Sequence, residues 1–210
     1  MNDDYYSLTR LQLDVLKEIG NIGAGNAATA LAQMINDKVD MSIPEVGILA
    51  FNEVAELVGG ADAHVIGIYL TVEGEAPANI LFLIAMDRAC ALVDMLLGKP
   101  ENTTNAANLT ELDLSALQEV GNIIAATYLN ALSSFTGLKF VWSVPALAID
   151  MAGAVMDSIL ALFGVMGDHV LLLKTEFKKN QTGLVGNFFL LPNVGSLEII
   201  LSALGVSKNG

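Results

Sequence analysis

The chain contains the same polar helix twice, and this duplication limits what it can fold into. Residues 11–26, LQLDVLKEIGNIGAGN, return in altered form as residues 112–127, LDLSALQEVGNIIAAT. A constant separation of 101 positions relates two polar pairs inside these stretches and two pairs outside them. These are Thr9 and Thr110, Glu18 and Glu119, Asn21 and Asn122, and Pro44 and Pro145. Apolar positions recur by chance in helical proteins, whereas a matched set of Thr, Glu, Asn and Pro does not. The sequence therefore predicts two copies of one unit.

Each copy is predicted to begin with an amphipathic helix. Apolar and small residues recur at i, i+3, i+4 and i+7, as in Leu16, Gly20 and Gly23, which is the spacing of one helix face. The polar residues of both copies are predicted to lie on the opposite, solvent-facing side. They are Asp14, Glu18 and Asn21 in the first copy and Ser115, Glu119 and Asn122 in the second. A Thr followed three residues later by Gln12 or Asp113 predicts a capping box at each helix start.

Periodicity and turn residues predict the same order of elements in both halves. The first half reads as helix 9–36, extended 38–50, helix 52–58, strands 64–73 and 78–86, and helix 87–97. The second reads as helix 110–136, extended 138–149, helix 151–163, strands 168–178 and 184–191, and helix 193–204. We expect an α+β fold, a duplicated, pseudo-two-fold domain with a mostly antiparallel six-stranded sheet and helices on its faces. A single domain over 1–210 would then consist of repeats at about 9–98 and 110–205, joined by a polar linker at 99–109.

Composition excludes several classes of function. A net charge of −13 without a basic stripe disfavours nucleic acid binding. No segment reads as membrane-spanning, because the apolar stretches contain charged or several polar residues. The acidic N-terminus lacks the basic start of a signal peptide. The single cysteine, Cys90, lies in an apolar helical pattern, which indicates a buried, unreactive thiol and a reducing cytoplasm.

Other motifs do not support a cofactor or metal site. The glycines of residues 20–25 follow the order G-x-x-G-x-G with no preceding strand, and the second copy replaces two of them, so a phosphate loop is disfavoured. The two histidines, His64 and His169, stand at comparable strand starts without the neighbours that a metal site requires. Ser115 has no histidine near it in the sequence, so a catalytic triad has no basis.

The repeated Glu and Asn allow one kind of chemistry in particular. Taken singly, each pair could be ordinary solvated surface, but Asn is unfavourable inside a helix and here recurs with the same Glu. A carboxamide both donates and accepts hydrogen bonds, so it can orient a water molecule. Phosphoryl transfer is a reaction in which such positioning contributes much. A carboxylate one turn away could bind a lysine of a partner that supplies metal and phosphate.

The motif resembles that of a known family. Asp14-x3-Glu18-x2-Asn21 followed by Pro44, and Ser115-x3-Glu119-x2-Asn122 followed by Pro145, resemble the signature of the CheC/CheX/FliY family of chemotaxis phosphatases. Both copies satisfy the signature, and the resemblance covers about residues 8–206. Family members of the flagellar switch would continue into a C-terminal module, for which we expect no room after Gly210.

The resemblance implies hydrolysis of the aspartyl phosphate of the response regulator CheY. Asn21 and Asn122 would orient the attacking water, and Glu18 and Glu119 would pair with a lysine of the receiver domain. The protein would need no cofactor or metal of its own, because the receiver would supply Mg²⁺. The deamidase CheD is implied as a second partner, bound through the helix at 151–163. Two alternatives stay open: a module that mainly sequesters CheD in response to phosphorylated CheY, and, more distantly, a structural role in the flagellar switch.

Overall fold

A computed structural model describes residues 8–163, 169–179 and 182–207. Five α-helices occur in this part of the chain: α1 (Arg10–Ile35), α2 (Met86–Leu96), α3 (Glu111–Thr136), α4 (Ala152–Phe163) and α5 (Ser196–Ala203). A 3₁₀ helix spans Phe51–Val58. The strands are β1 (Asp40–Ala50), β2 (His64–Gly74), β3 (Ala78–Ala85), β4 (Phe140–Trp142), β5 (Ala146–Met151), β6 (His169–Lys179) and β7 (Thr182–Pro192). The predicted order of elements is confirmed, with boundaries within about three residues; residue 168, the predicted start of strand 168–178, lies outside the described residues.

All strands belong to one antiparallel sheet, in the order β1-β6-β7-β3-β2-β4. β4 and β5 pair with successive stretches of the same strand: β4 with Val72–Gly74 and β5 with His64–Tyr69 of β2. The predicted extended segment 138–149 is therefore two strands at one sheet position. Pro145 lies in the break, where a residue without an N–H cannot continue the ladder. The α+β, antiparallel prediction is confirmed, with its sixth strand in two pieces.

The two repeats exchange their first strands. β1 of the first repeat pairs with β6 of the second, and β5 of the second repeat pairs with β2 of the first. The two hairpins, β2–β3 and β6–β7, meet in the middle of the sheet through β3 and β7. Each edge of the sheet is thus completed by the opposite repeat. Neither half could keep this sheet if the other were removed.

Strand alternation divides the interior into two layers. One face of the sheet, including Ile68, Phe82 and Leu173, packs against α1, α2 and α3 in the main core. The other face, including Leu83 and Phe189, packs under α4 and the 3₁₀ helix. Successive strand side chains point to opposite faces, so a fully apolar strand such as β3 supplies both layers. The predicted helices on both sheet faces are confirmed.

Glycines allow the long helices to lie close to each other and to the sheet. A Cβ atom on Gly23 of α1 would lie 3.0 Å from the Tyr128 Cα atom of α3, so the two helix backbones nearly touch. A Cβ atom on Gly20 would lie 3.1 Å from Leu173 in β6, and one on Gly121 would lie 2.6 Å from Ile68 in β2. These last two contacts are related by the repeat, and each joins a helix of one repeat to a strand of the other.

Both predicted capping boxes are present, and each cap also contacts the segment that follows the last helix of the other repeat. The Thr9 and Thr110 side chains accept hydrogen bonds from the third residue of their helices, whose side chains accept from the Thr backbone. The Gln12 side chain donates to the Val206 carbonyl oxygen at 2.7 Å. Its counterpart, Asp113, accepts from Lys99 Nζ at 2.5 Å. Among the described residues, no helix is long and apolar enough to cross a membrane.

Candidate functional site

The acidic residues of the motif lie on the outer surface of α1 and α3, as predicted. Glu18 and Glu119 are exposed, and so are Asp14 and Ser115 one turn earlier. Within residues 8–163, 169–179 and 182–207, none of the four side chains has a hydrogen-bond or ion-pair partner. An unpaired carboxylate one helical turn from an asparagine is available to a cation brought by another molecule.

Asn21 differs from the solvated side chain that periodicity predicts. It is half-buried, and its Oδ1 atom accepts a hydrogen bond from the backbone N–H of Ile43 at 2.9 Å. Ile43 is 4% exposed and belongs to β1, directly before Pro44. The register of β1 against β6 shifts between Ser42 and Glu45, because Pro44 cannot donate to the ladder. The asparagine thus binds a backbone donor at the bulge.

Asn122 is held in a related way by a different donor. It is half-buried, and its Oδ1 atom accepts from Trp142 Nε1 of β4 at 3.3 Å. The strand breaks after Trp142, and Val144 is 87% exposed in the gap. Both asparagines therefore reach across from a helix to the edge strand of their own repeat. The second uses a side chain where the first uses the main chain.

A pair of residues that sequence reasoning missed fixes the proline segments. Lys17 Nζ donates to the Pro44 carbonyl oxygen at 2.6 Å, and Gln118 Nε2 donates to the Pro145 carbonyl oxygen at 3.2 Å. Lys17 and Gln118 are themselves 101 positions apart, and both are long polar side chains directly before the Glu. That shared character was the available signal. Lys17 contacts its own chain, so its charge is partly engaged there.

These hydrogen bonds fix the orientation of each carboxamide. Because the Ile43 N–H and the Trp142 Nε1–H are both donors, the atom that meets each must be the amide oxygen. The Nδ2 groups of Asn21 and Asn122 have no acceptor among the described residues. Each site therefore presents a free N–H donor on a tethered amide, close to an exposed carboxylate. This is a positioning arrangement, with neither a nucleophile nor a strong base.

The two sites lie at opposite edges of the sheet. Asn21 is joined to β1 and Asn122 to β4, which are the first and last strands in the sheet order. Five steps of about 4.8 Å between neighbouring strands separate the edges by roughly 24 Å. The motif residues of the two copies therefore form two separate sites, each with one Glu and one Asn.

Neither site is built like a metal centre or a thiol site. In the described part of the chain, no three His, Cys, Asp or Glu residues gather in a way that could hold a metal ion. Cys90 is buried at 6% exposure, as predicted. Burial raises the pKa of its thiol, and the charges of Asp94, Asp87 and Asp113 raise it further. A thiol that resists ionisation is a poor nucleophile.

A duplicated helix-and-strand unit, with a Glu–Asn pair on the first helix of each copy and one antiparallel sheet shared by both, defines the class of fold to which this chain belongs. The CheC-like family matches this chain twice, at residues 11–48 and 112–149. The CheY-P phosphatase CheC of Bacillus subtilis (strain 168) is 37% identical over 198 residues, which cover 93% of this chain and 95% of that protein. The chain belongs to the CheC-like family.

Proteins of lower sequence identity are also similar to this chain. The flagellar motor switch phosphatase FliY of Bacillus subtilis is 28% identical over 66% of this chain and 35% of that protein. The crystal structure of Thermotoga maritima FliY superposes with a TM-score of 0.74 at 17% identity, covering 96% of this chain and 99% of that one. A chain of the CheX–CheY–BeF3–Mg²⁺ complex from Borrelia burgdorferi superposes with a TM-score of 0.51, also at 17% identity, covering 81% of this chain and 96% of that one. At such identities the structures share the fold.

Proposed function

We propose that the protein is a phosphatase that hydrolyses the aspartyl phosphate of the phosphorylated response regulator CheY. Its Bacillus subtilis relative, named a CheY-P phosphatase, aligns over nearly the whole of both chains. The observation that carries the proposal is the repetition of one arrangement. In each copy an exposed Glu lies one turn from an Asn whose oxygen is tethered and whose amino group is free.

In this proposal the asparagines orient the water that attacks phosphorus. The Nδ2–H of Asn21 or Asn122 donates to one lone pair of the water, which leaves the other lone pair directed at the phosphoryl group. The bond between phosphorus and the aspartyl oxygen then breaks. The receiver keeps a carboxylate, inorganic phosphate leaves, and the proton released by the water passes to phosphate or solvent. Since the tether already fixes the amide, little further ordering is required at the moment of reaction.

Glu18 and Glu119 would bind the receiver by pairing with a lysine beside its phosphoryl group. Both carboxylates are exposed and unpaired within the described residues, so no internal contact has to break first. Mg²⁺ would be held by the receiver and would neutralise charge on the phosphoryl oxygens there. We expect the reaction to take place in the cytoplasm, where the receiver acts.

Release of phosphate from the acyl-phosphorylated receiver tests the asparagines. We expect Asn21→Ala and Asn122→Ala each to keep a measurable rate, because the other site remains. The double variant should lose about 10²–10³-fold, the usual effect of removing one positioned polar group from each active site. Asn26→Ala and Asn130→Ala, which change exposed asparagines of the same helices, are the matched controls. A double variant as active as the wild type would contradict the proposal.

Binding of CheD is a second candidate function, and exposed apolar side chains favour it. Ile149, Met151 and Leu160, at the end of β5 and on α4, are 45%, 43% and 41% exposed. Exposed apolar side chains of this size are typical of a docking surface. We expect Leu160→Asp to weaken CheD binding in calorimetry, while Phe135→Asp on α3 leaves it unchanged. Equal binding by both variants would contradict a role for α4.

A further inference from the structure

Trp142 gives the second site a feature that the first site lacks. It is the only tryptophan of the chain, it lies half-buried on β4, and its Nε1–H donates to Asn122 Oδ1 at 3.3 Å. The equivalent position of the first repeat is Met41, which cannot donate. The indole donor is therefore present in the second repeat and absent from the first.

The difference follows from how each strand passes its proline. β1 continues past Pro44 with a bulge, so the buried Ile43 directs its backbone N–H at Asn21. In the second repeat the strand is broken, and Val144, the counterpart of Ile43, is 87% exposed. Among the described residues its N–H is not hydrogen-bonded to Asn122. A side chain from β4 supplies the missing donor instead.

We propose that Trp142 is the positioning residue of the second site: its indole N–H holds the Asn122 oxygen and so aims the free amino group at the attacking water. This inference rests on the proposed function. As a consequence, the two sites differ in the group that holds the asparagine oxygen. The main-chain donor of the first site is fixed with the strand, whereas the donor of the second site is a rotatable side chain and is lost in a single substitution.

Single-site backgrounds isolate the effect. In an N21A background only the second site works, and we expect Trp142→Phe to lower kcat about 2- to 10-fold, the size of one neutral hydrogen bond, with KM little changed. In an N122A background the same substitution should cause no further fall. Replacing the single tryptophan with benzothienylalanine, which carries sulfur in place of the N–H, should reproduce the effect at nearly constant volume. An equal fall in both backgrounds, or none in the N21A background, would overturn the proposal.

Fluorescence of the single tryptophan provides a readout that does not depend on activity. We expect Asn122→Ala to shift the emission of Trp142, because the indole loses its acceptor, and Asn21→Ala to leave it unchanged. An unchanged emission in N122A would overturn the hydrogen bond itself. Failure of the proposed function would give a different result from failure of this inference. The N21A/N122A double variant would then keep full activity, whatever residue occupies position 142.

Discussion

The asparagines of the two sites combine a fixed oxygen with a free amino group. Water at the helix surface could solvate both ends of an asparagine, but here a donor from the neighbouring strand occupies one end. A tethered amide has fewer orientations to lose when a substrate arrives, which is the general advantage of a preorganised site. The glutamates are different, because their exposed side chains keep the freedom to meet a partner.

Charge reversal at the glutamates separates docking from water orientation. Glu18→Lys combined with Glu119→Lys should weaken binding of the phosphorylated receiver, because two lysines would then face each other at each site. The asparagine variants should bind nearly normally and fail to hydrolyse. Calorimetry with a receiver carrying a stable phosphoryl mimic measures the difference.

The matched control is Glu56→Lys with Glu198→Lys, which changes the net charge by the same amount at exposed positions on the 3₁₀ helix and α5. If this control weakens binding equally, the loss arises from overall charge and not from docking. Equal loss of binding in the asparagine and glutamate variants would mean that the asparagines are docking residues.

Asp113 makes stability depend on pH. Its side chain is 1% exposed and bonded to Lys99, which is 29% exposed. Burial raises the pKa of this carboxyl, but the hydrogen bonds from Lys99 and Thr110 and the charge of Lys99 together lower it by more than burial raises it. The pKa therefore lies below its usual value. A carboxyl with a lower pKa in the folded state contributes stability above about pH 4, the unfolded value, and this is lost as pH falls through the folded pKa.

Asp113→Asn should therefore destabilise the fold at neutral pH by roughly 1.5–3 kcal/mol, the contribution of a hydrogen bond between charged groups. The difference from the wild type should shrink as the pH falls below about 4. Urea unfolding at pH 7, 4 and 3 measures both effects. Asp62→Asn, at an exposed turn, is the control and should change the free energy of unfolding by less than about 0.5 kcal/mol. A destabilisation independent of pH would contradict this account.

Repeat spacing and helical periodicity predicted the motif residues, but not the groups to which these residues are hydrogen-bonded. The repeat distance alone singled out Glu18, Asn21 and their counterparts, and helical periodicity placed the glutamates correctly on the surface. Periodicity also predicted solvated asparagines, which is wrong, since both are half-buried and bonded to another element. Those partners lie about 20 residues away, on strands whose position follows from long-range pairing.

Among the elements, α1 and α3 determine where the sites lie. The two helices pack on the same face of the sheet, and their contact at Gly23 leaves no room for a side chain. The repeat does not preserve this glycine, because its counterpart in α3 is the buried Ile124. Close approach therefore depends on a small residue from only one of the two helices.

Replacing either of two glycines of α1 with alanine should change the free energy of unfolding, in opposite directions for the two positions. Alanine stabilises a helix interior by about 1 kcal/mol relative to glycine where space allows. Gly25 is exposed, and a Cβ atom added there would have nothing within 4 Å, so Gly25→Ala should raise the free energy of unfolding by about that amount. At Gly23 the added carbon would meet the α3 backbone at 3.0 Å, and overpacking typically costs about 1–3 kcal/mol.

We therefore expect Gly23→Ala to lower the urea midpoint while Gly25→Ala raises it. Because the residue change and the helix are the same, differences in propensity cancel in the comparison. If both variants were stabilised, α3 would have to move away easily, and the close packing of the two helices would not hold the site geometry.

Element order was predictable because each helix and strand carries its own local signal. The capping threonines mark the starts of α1 and α3, and the apolar run of β3 identifies a strand buried on both faces. The break between β4 and β5 was missed, although Pro145 lies in it. Pro44, at the equivalent position of the first repeat, causes only a bulge in β1. A proline alone therefore does not decide between a bulge and a break.

At the scale of the whole molecule, strand exchange makes one structure from two repeats. β1 and β5 each complete the sheet of the opposite repeat, and the capping residues Gln12 and Asp113 contact the segments after α5 and α2. No local pattern predicts such pairing, because a strand's own sequence does not say which neighbour it will join. The exchange also carries the two sites to opposite edges of the sheet.

This placement predicts that the protein binds two receivers at once. The sites share no residue, and they lie at opposite edges of the sheet, about 24 Å apart, so each receiver can approach from its own edge. Calorimetry with a receiver carrying a stable phosphoryl mimic should give two receivers per chain, and Glu18→Lys alone should reduce this to one. Glu56→Lys should leave two. Saturation of the wild type at one receiver per chain would mean that one site is blocked or inactive, and would contradict the two-site arrangement on which the proposed function is built.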